Sequence, residues 1–386
     1  MKKTLLTICL VWMCFSLSAQ KIIDLSGKWS FSIDRQDNGE KEKWFSHTLN
    51  DFINLPGSMP EKLKGDEVTA KTQWTGSLYD SSYYYNPYME KYRKEGNIKF
   101  PFFLTPDKHY VGAAWYQKEV NIPADWKGER ILLFLERPHI ETTVWVNGQK
   151  TGMQNSLCVP HQYDITRYVR PGKCTITIRV DNRIKEINVG PDSHSITDQT
   201  QGNWNGIVGR ICLQTTPKTY FDDIQIYPEP EQKLARVKVV IKGTGTAKVK
   251  LSAESFNTDK KHIVPAIQQE IKLNKGVTET EMVLPMGNDM LLWDEFHPAL
   301  YKLKAEVTNG KKTEIKEIQF GMRRFEIKGK WFYVNGRKTQ LRGTVENCDF
   351  PLTGYAPMDV ESWERVFRIC RSYGLNHMRF HSFCPP

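Results

Sequence analysis

The residues best suited to chemistry lie in two loop-rich stretches, away from the alternating faces that fill most of the chain. The first is "DSHSITDQTQGNWNGIVGR", Asp192 to Arg210, where Asp198, Gln201, Asn203 and Trp204 stand among glycines. A carboxylate, side-chain amides and an indole are the mixture that binds sugar hydroxyls and the apolar faces of sugar rings. The same composition also suits a surface loop whose tryptophan plugs a sandwich. The second stretch is a strand–helix–strand pattern near the C-terminus. Arg342, Glu346, Asn347 and Asp349 go with its first strand, Arg379 and His381 with its second. Polar groups at the carboxyl ends of parallel strands face the active sites of α/β folds. The structural alternative is an Arg379 that pairs with an acid to satisfy a barrel interior. No CxxC pair or Cys/His cluster has zinc spacing, so neither a metal site nor a cofactor is expected.

The elements that must hold these residues are mainly strands. From Lys21 to Tyr227, runs such as "LSGKWSFSID", "AWYQKEVNIP", "RILLFLERP", "ETTVWVNGQ" and "KCTITIRVDN" alternate apolar and polar at period two, and turn dipeptides separate them. The pattern predicts a jelly-roll β-sandwich. "YPEPEQK", Tyr227 to Lys233, is expected to be a linker. The strands that follow, from "RVKVVIK" to "TEIKEIQFG", predict a small immunoglobulin-like sandwich. After Gly321, "WFYVNGRKTQLRG" reads as a hairpin turning at Asn335-Gly336. "TQLRGTVEN" reads as a strand. A helix then starts at Asp359 as N-cap, carries Val360, Trp363, Val366, Phe367, Cys370 and Tyr373 on one face, and stops at Gly374. "NHMRFH" is a second strand, so the unit is βαβ with a parallel pair.

Composition narrows the class. Across 386 residues, 25% charged and 39% hydrophobic describe a globular chain. "MKKTLLTICLVWMCFSLSAQ" has the charged, apolar, small-residue order of a secretory signal, and its apolar run is too short to span a bilayer. Cleavage near Ala19 is expected, giving a secreted or periplasmic protein. The formal charge of +10 falls to +8 without Lys2 and Lys3. The lysines are scattered over solvent faces with no interleaved stacking aromatics, so nucleic acid is not expected as a partner. Cysteines 158, 174, 212, 348, 370 and 384 remain after cleavage, with free buried thiols as the default.

Taken in order, several stretches resemble the N-terminal part of glycoside hydrolase family 2 enzymes. "LSGKWSFSID" and "NLPGSM" resemble their opening strands, and "AAWYQKEVNIPADWKGERILLFLERPHIETTVWVNGQKTG" the central strands of the sugar-binding domain. "NWNGIVGRI" is similar to the stretch closing that domain. "LLWDEFHPALYKLKAEV" and "FGMRRFEIKGKWFYVNGRKTQLRGT" are similar to the next domain and the barrel entry. The resemblance implies a sugar-binding domain over residues 20–228, an immunoglobulin-like domain over 229–322, and the first two strands of an incomplete (β/α)8 TIM barrel over 323–386. It also implies retaining hydrolysis of a β-glycoside by two Glu residues about 5 Å apart. Those residues belong to later barrel strands, so this chain is expected to lack both and to be inactive alone. Arg342, Asn347, Arg379 and His381 are implied as pocket residues, and Asp198, Gln201, Asn203 and Trp204 as loop residues reaching toward the sugar. The alternative is a secreted, non-catalytic carbohydrate-binding protein using the first domain.

Overall fold

The computed structural model describes residues 20–75, 85–99, 101–185, 196–198, 202–381 and 383–386. The chain is mostly β and divides into two compact units. One comprises Lys21–Thr216, Lys328–Phe332 and Lys338–Pro386, the other Pro217–Ile327 and Tyr333–Arg337.

The first unit is built on a sandwich. It opens with β1 (Ile22–Asp24), β2 (Gly27–Asp34), β3 (Asp51–Leu55) and β4 (Gly57–Ser58), then the short pair β5 (Asp66–Glu67) and β6 (Lys108–His109). It continues as β7 (Ala113–Ile122), β8 (Arg130–His139), β9 (Glu141–Val146), β10 (Gln149–Asn155), β11 (His161–Asp164), β12 (Gly172–Asp181) and β13 (Gly206–Thr216). One antiparallel sheet runs β1-β13-β8-β11, with β4 also on β13, and the other runs β10-β9-β12-β7-β2-β3. Inward residues from both sheets, among them Trp29, Phe31, Tyr116, Leu133, Val144 and Ile178, make one continuous core.

In β7 the expected polar outer face is only half present. Tyr116 points into the core, yet its neighbour Trp115 on the opposite face is also fully buried. The segment after β2 folds over that face, and Trp44, Phe45 and Leu49 close a second apolar cluster on Trp115 and Trp145. The Trp115 indole N–H is satisfied there by Asp34 Oδ2 at 2.9 Å.

The second unit contains β14 (Tyr220–Glu229), β15 (Leu234–Ser255), β16 (Ile263–Pro285), β17 (Tyr301–Asn309) and β18 (Lys312–Phe320). The order is β14-β15-β17-β18 with β16 on β15, giving an immunoglobulin-like arrangement about its own core. "YPEPEQK" is the tight turn of the β14–β15 hairpin, not a linker, with Glu229 paired to Leu234 and Pro230 buried. Proline here shapes a turn inside a sheet, and the opening segment of the first unit already ends at Thr216.

β19 (Phe325–Lys328), β20 (Trp331–Val334) and β21 (Arg337–Thr339) form a three-stranded sheet. Its turn residues Asn335 and Gly336 both have positive φ, 49° and 77°, as a two-residue hairpin loop of this kind requires. β22 (Gly343–Glu346), α1 (Val360–Ser372) and β23 (His377–Phe380) then make the βαβ unit. β22 and β23 are parallel, in register from Gly343 opposite His377 to Glu346 opposite Phe380. Asp359 caps α1 by accepting from the Ser362 N–H at 2.7 Å. Among the described residues, no helix is long and apolar enough to cross a membrane.

Candidate functional site

The sandwich carries a cleft of about 720 Å³ at the ends of β2, β7 and β12. Trp74 and Tyr110 supply its aromatic surface, Arg35, Asp37, Asp66 and Arg183 its charges, and Thr75, His109 and Asn203 its polar groups. Both arginines are engaged by carboxylates. Arg35 lies 2.8 Å from Asp66, and Arg183 lies 2.6 Å from both Asp37 and Asp181.

Buried amides fix the backbone around this cleft. Asn182 accepts from the Gly112 N–H and donates to the Tyr110 carbonyl, each at 2.8 Å. Asn205 donates to the carbonyls of Gly112 and Val180 and accepts from the Tyr116 hydroxyl. Gly206, which follows it, must be glycine. Its φ is +151°, and a Cβ there would come within 2.4 Å of the Gly57 carbonyl oxygen.

Three buried polar atoms of residues at or behind the cleft lack hydrogen-bond partners among the described residues: Thr75 Oγ1 and His109 Nε2, of cleft-lining residues, and Asp198 Oδ1. Asp198 is 1% exposed, and its other oxygen accepts from the Thr75 N–H at 2.5 Å. His109 Nε2 lies 3.5 Å from Asp198 Oδ1, too far for a good hydrogen bond. Buried polar groups are ordinarily satisfied. A hydroxyl entering between them could donate to Asp198 and accept from His109 or Thr75.

The other residues singled out from the sequence have varied surroundings. Asn203 lines the cleft, but its oxygen contacts His139 Nε2 at 3.2 Å and its nitrogen donates to the Asn182 carbonyl at 2.8 Å. Burial pushes His139 down to about 3, so its imidazole is neutral and its Nε2–H is the donor to Asn203. Trp204 is buried against two rings, stacked on His139 at 4.5 Å and tilted against Tyr355 at 5.4 Å. Tyr355 in turn donates to Glu61 Oε2 at 2.8 Å, and Ser58 Oγ donates to the Thr353 carbonyl at 2.5 Å. The loop after β22 is thus tied to the sandwich. Gln201 lies outside the described residues.

In the βαβ unit, Phe380 packs edge-on against Trp363 of α1, so even-numbered positions of β23 face the helix. Val345, Asn347 and Arg379, all exposed, belong by alternation to the opposite face of the pair, as does the half-buried His381. Arg342 is committed elsewhere, with Nε donating to the Gly374 carbonyl at the end of α1. Glu346 accepts from the Cys348 N–H at 2.8 Å. Thr75, His109, His139 and Tyr355 were not expected as site residues. They sit in unremarkable sequence contexts, and only long-range contacts single them out.

Among the described residues, no group of three or more His, Cys, Asp or Glu could hold a metal ion. The arrangement is suited to recognising a neutral, hydroxyl-rich molecule beside aromatic surface.

Comparison with known proteins gives this geometry a context. Residues 22–217 match the family model described as "Glycosyl hydrolases family 2, sugar binding domain", and residues 219–323 match "Glycosyl hydrolases family 2". A β-glucuronidase of Paenibacillus borealis is 24% identical over 355 residues, covering 87% of this chain and 51% of that protein. A β-galactosidase of Thermoanaerobacter pseudethanolicus is 24% identical over 301 residues, covering 73% and 38%. The fold is similar to a solved β-glucuronidase from Ruminococcus gnavus, with TM-score 0.66, 19% identity, and coverage of 94% of this chain and 56% of that one. The chain therefore spans about half the length of such relatives, or less.

Proposed function

The chain belongs to glycoside hydrolase family 2, and from that premise we propose that it is the N-terminal portion of an exported, retaining β-glycosidase. On this reading, the βαβ unit is the opening of a (β/α)8 barrel. The observation that carries the proposal is that Thr75 and His109 line a cleft in the sugar-binding sandwich, with the buried Asp198 carboxylate 3.5 Å from His109 Nε2 and held on the Thr75 N–H. Asp198 accepts from a sugar hydroxyl, and His109 or Thr75 donates to it. Asn203 and Trp204 position the segment, held by His139 and Tyr355. Asn347, Arg379 and His381 line the sugar pocket on the open face of β22 and β23, and Arg342 braces the helix end behind them.

Retaining hydrolysis needs one carboxylic acid to protonate the leaving oxygen and a second carboxylate to attack the anomeric carbon. We assign neither role to a residue between 1 and 386. Glu346 ends the first strand of the unit and Asp349 follows it, whereas the two roles must flank one bond. The partner is a β-linked carbohydrate, and no cofactor is involved.

Two measurements test this. The 386-residue chain should not hydrolyse nitrophenyl β-glycosides, and clear turnover would overturn the assignment of the carboxylates. Calorimetry should detect binding of sugars with a terminal β-linked residue, weakened at least tenfold in Asp198→Ala with unchanged unfolding temperature. A second reading, a carbohydrate-binding protein without catalysis, draws on the same cleft. It expects retention by internal segments of a polysaccharide, uncompeted by monosaccharides. The hydrolase reading expects monosaccharide competition.

A further inference from the structure

We propose that Cys158 and Cys384 form a disulfide that ties the loop between β10 and β11 to the segment following β23. Three cysteines, Cys158, Cys348 and Cys384, line one small cavity of about 60 Å³ although they are far apart in sequence. One side chain draws two of their backbones together. Arg137, on β8, donates from Nη2 to the Cys158 carbonyl at 3.4 Å, from Nη1 to the Cys384 carbonyl at 2.6 Å, and from Nη2 to the Pro385 carbonyl at 3.1 Å. A guanidinium is a rigid planar fork, so the two cysteine carbonyls sit on adjacent corners of one group.

Exposure selects the pair. Cys384 is exposed and Cys158 half-buried, so a small disulfide can reach both. Cys348 is buried, and burial together with the neighbouring Glu346 and Asp349 pushes its thiol up to about 12. A thiol held protonated neither attacks a disulfide nor exchanges. Cys174 and Cys212 are buried in the sandwich strands, and Cys370 lies on α1.

The oxidant is a low-molecular-weight disulfide such as oxidised glutathione. The Cys158 thiolate attacks one of its sulfurs, expelling a glutathione thiolate and leaving a mixed disulfide. The Cys384 thiolate then attacks the Cys158 sulfur and expels the second glutathione thiolate. Two cysteine thiols are oxidised, one glutathione disulfide is reduced to two thiols, and the two cysteine protons end on the departing thiolates. The link closes a loop of more than two hundred residues, anchoring β23 to the sandwich.

The test is a thiol map of the full chain after incubation with oxidised glutathione in mildly alkaline buffer. Remaining thiols are capped with N-ethylmaleimide before unfolding and with iodoacetamide after it, and the chain is digested without reduction for mass spectrometry. The expected result is a joined pair of peptides containing Cys158 and Cys384, with Cys348 capped only after unfolding. The joined pair should be absent from Cys158→Ser and from Cys384→Ser, each folded as judged by unchanged circular dichroism. Recovery of the two cysteines in separate peptides, whether capped or as glutathione adducts, overturns the proposal. So does a bridge from either of them to Cys348.

Discussion

Replacing Asp181 by Asn should cost the first unit about 3 kcal/mol at neutral pH, the lower end of what breaking a buried ion pair costs. Asp181 closes β12 and is fully buried. Its carboxylate takes the Arg183 guanidinium on both oxygens, lies 3.0 Å from Arg179 Nη2 and 2.7 Å from Lys185 Nζ, and accepts from the Arg183 N–H. Burial works to raise its pKa, but the hydrogen bonds from Arg183 and Lys185 outweigh it and hold the group well below the usual carboxylate range. Two structural facts keep the cost from being larger. Arg183 and Lys185 have side chains 35% exposed, so their pairs with Asp181 are screened. Arg179, only 9% exposed, keeps Asp37 at 2.6 Å and Glu141 at 3.4 Å. A depressed folded-state pKa contributes stability that is whole above the unfolded value near 3.9 and is lost as pH falls toward the folded value. The gap between wild type and variant should therefore narrow below pH ~4 by about 1.4 kcal/mol per pH unit. Urea unfolding followed by tryptophan fluorescence, at neutral pH and near pH ~3, measures both quantities, because Trp29, Trp115 and Trp145 are buried in the same unit. A variant within about 0.5 kcal/mol of wild type at neutral pH, the ordinary range for surface changes, would refute the reasoning. So would a gap that does not change with pH.

Other expectations rest on single contacts. Trp115→Ala should destabilise the first unit by about 3–5 kcal/mol, read as a lower urea midpoint, because a second cluster and the Asp34 bond depend on that indole. Gly206→Ala should lower the unfolding temperature measurably, since its Cβ would strike the Gly57 carbonyl; wild-type stability would show that the two strands can part at no cost. Tyr355→Phe removes the bond to Glu61 and should speed amide exchange at residues 353–356, with a loss of about 1 kcal/mol. No residue of α1 is buried, so its amides should exchange faster than those of β7 and β12. Equal protection would contradict that.

Much of the architecture was readable in the sequence because it depends on local periodicity. Alternation at period two marked the sandwich strands, Asn335-Gly336 the hairpin of the three-stranded sheet, and Asp359 and Gly374 the limits of a helix that forms within two residues of them. Where a signal has two physical uses, the local reading went astray. Proline and glutamate suit a linker or a tight turn equally, and only the pairing of Glu229 with Leu234 decides for the turn. Alternation in "AAWYQKEV" promises a wet outer face, but a distant segment carrying Trp44, Phe45 and Leu49 dries it.

The candidate site divides in the same way. Residue types alone marked Asp198, Asn203 and Trp204 as unusual for a strand-rich chain, and their loop as a place for sugar chemistry. What each one does was decided by partners far along the chain. His139 holds the Asn203 amide, His139 and Tyr355 pack against Trp204, and Asp198 keeps an oxygen with no partner among the described residues, 3.5 Å from His109. Local pattern specifies which backbone a segment adopts, because that depends on neighbours three or four residues away. Hydrogen-bond satisfaction is settled across the whole fold, so only the tertiary structure separates the side chains already spent on each other from the few left to meet a ligand.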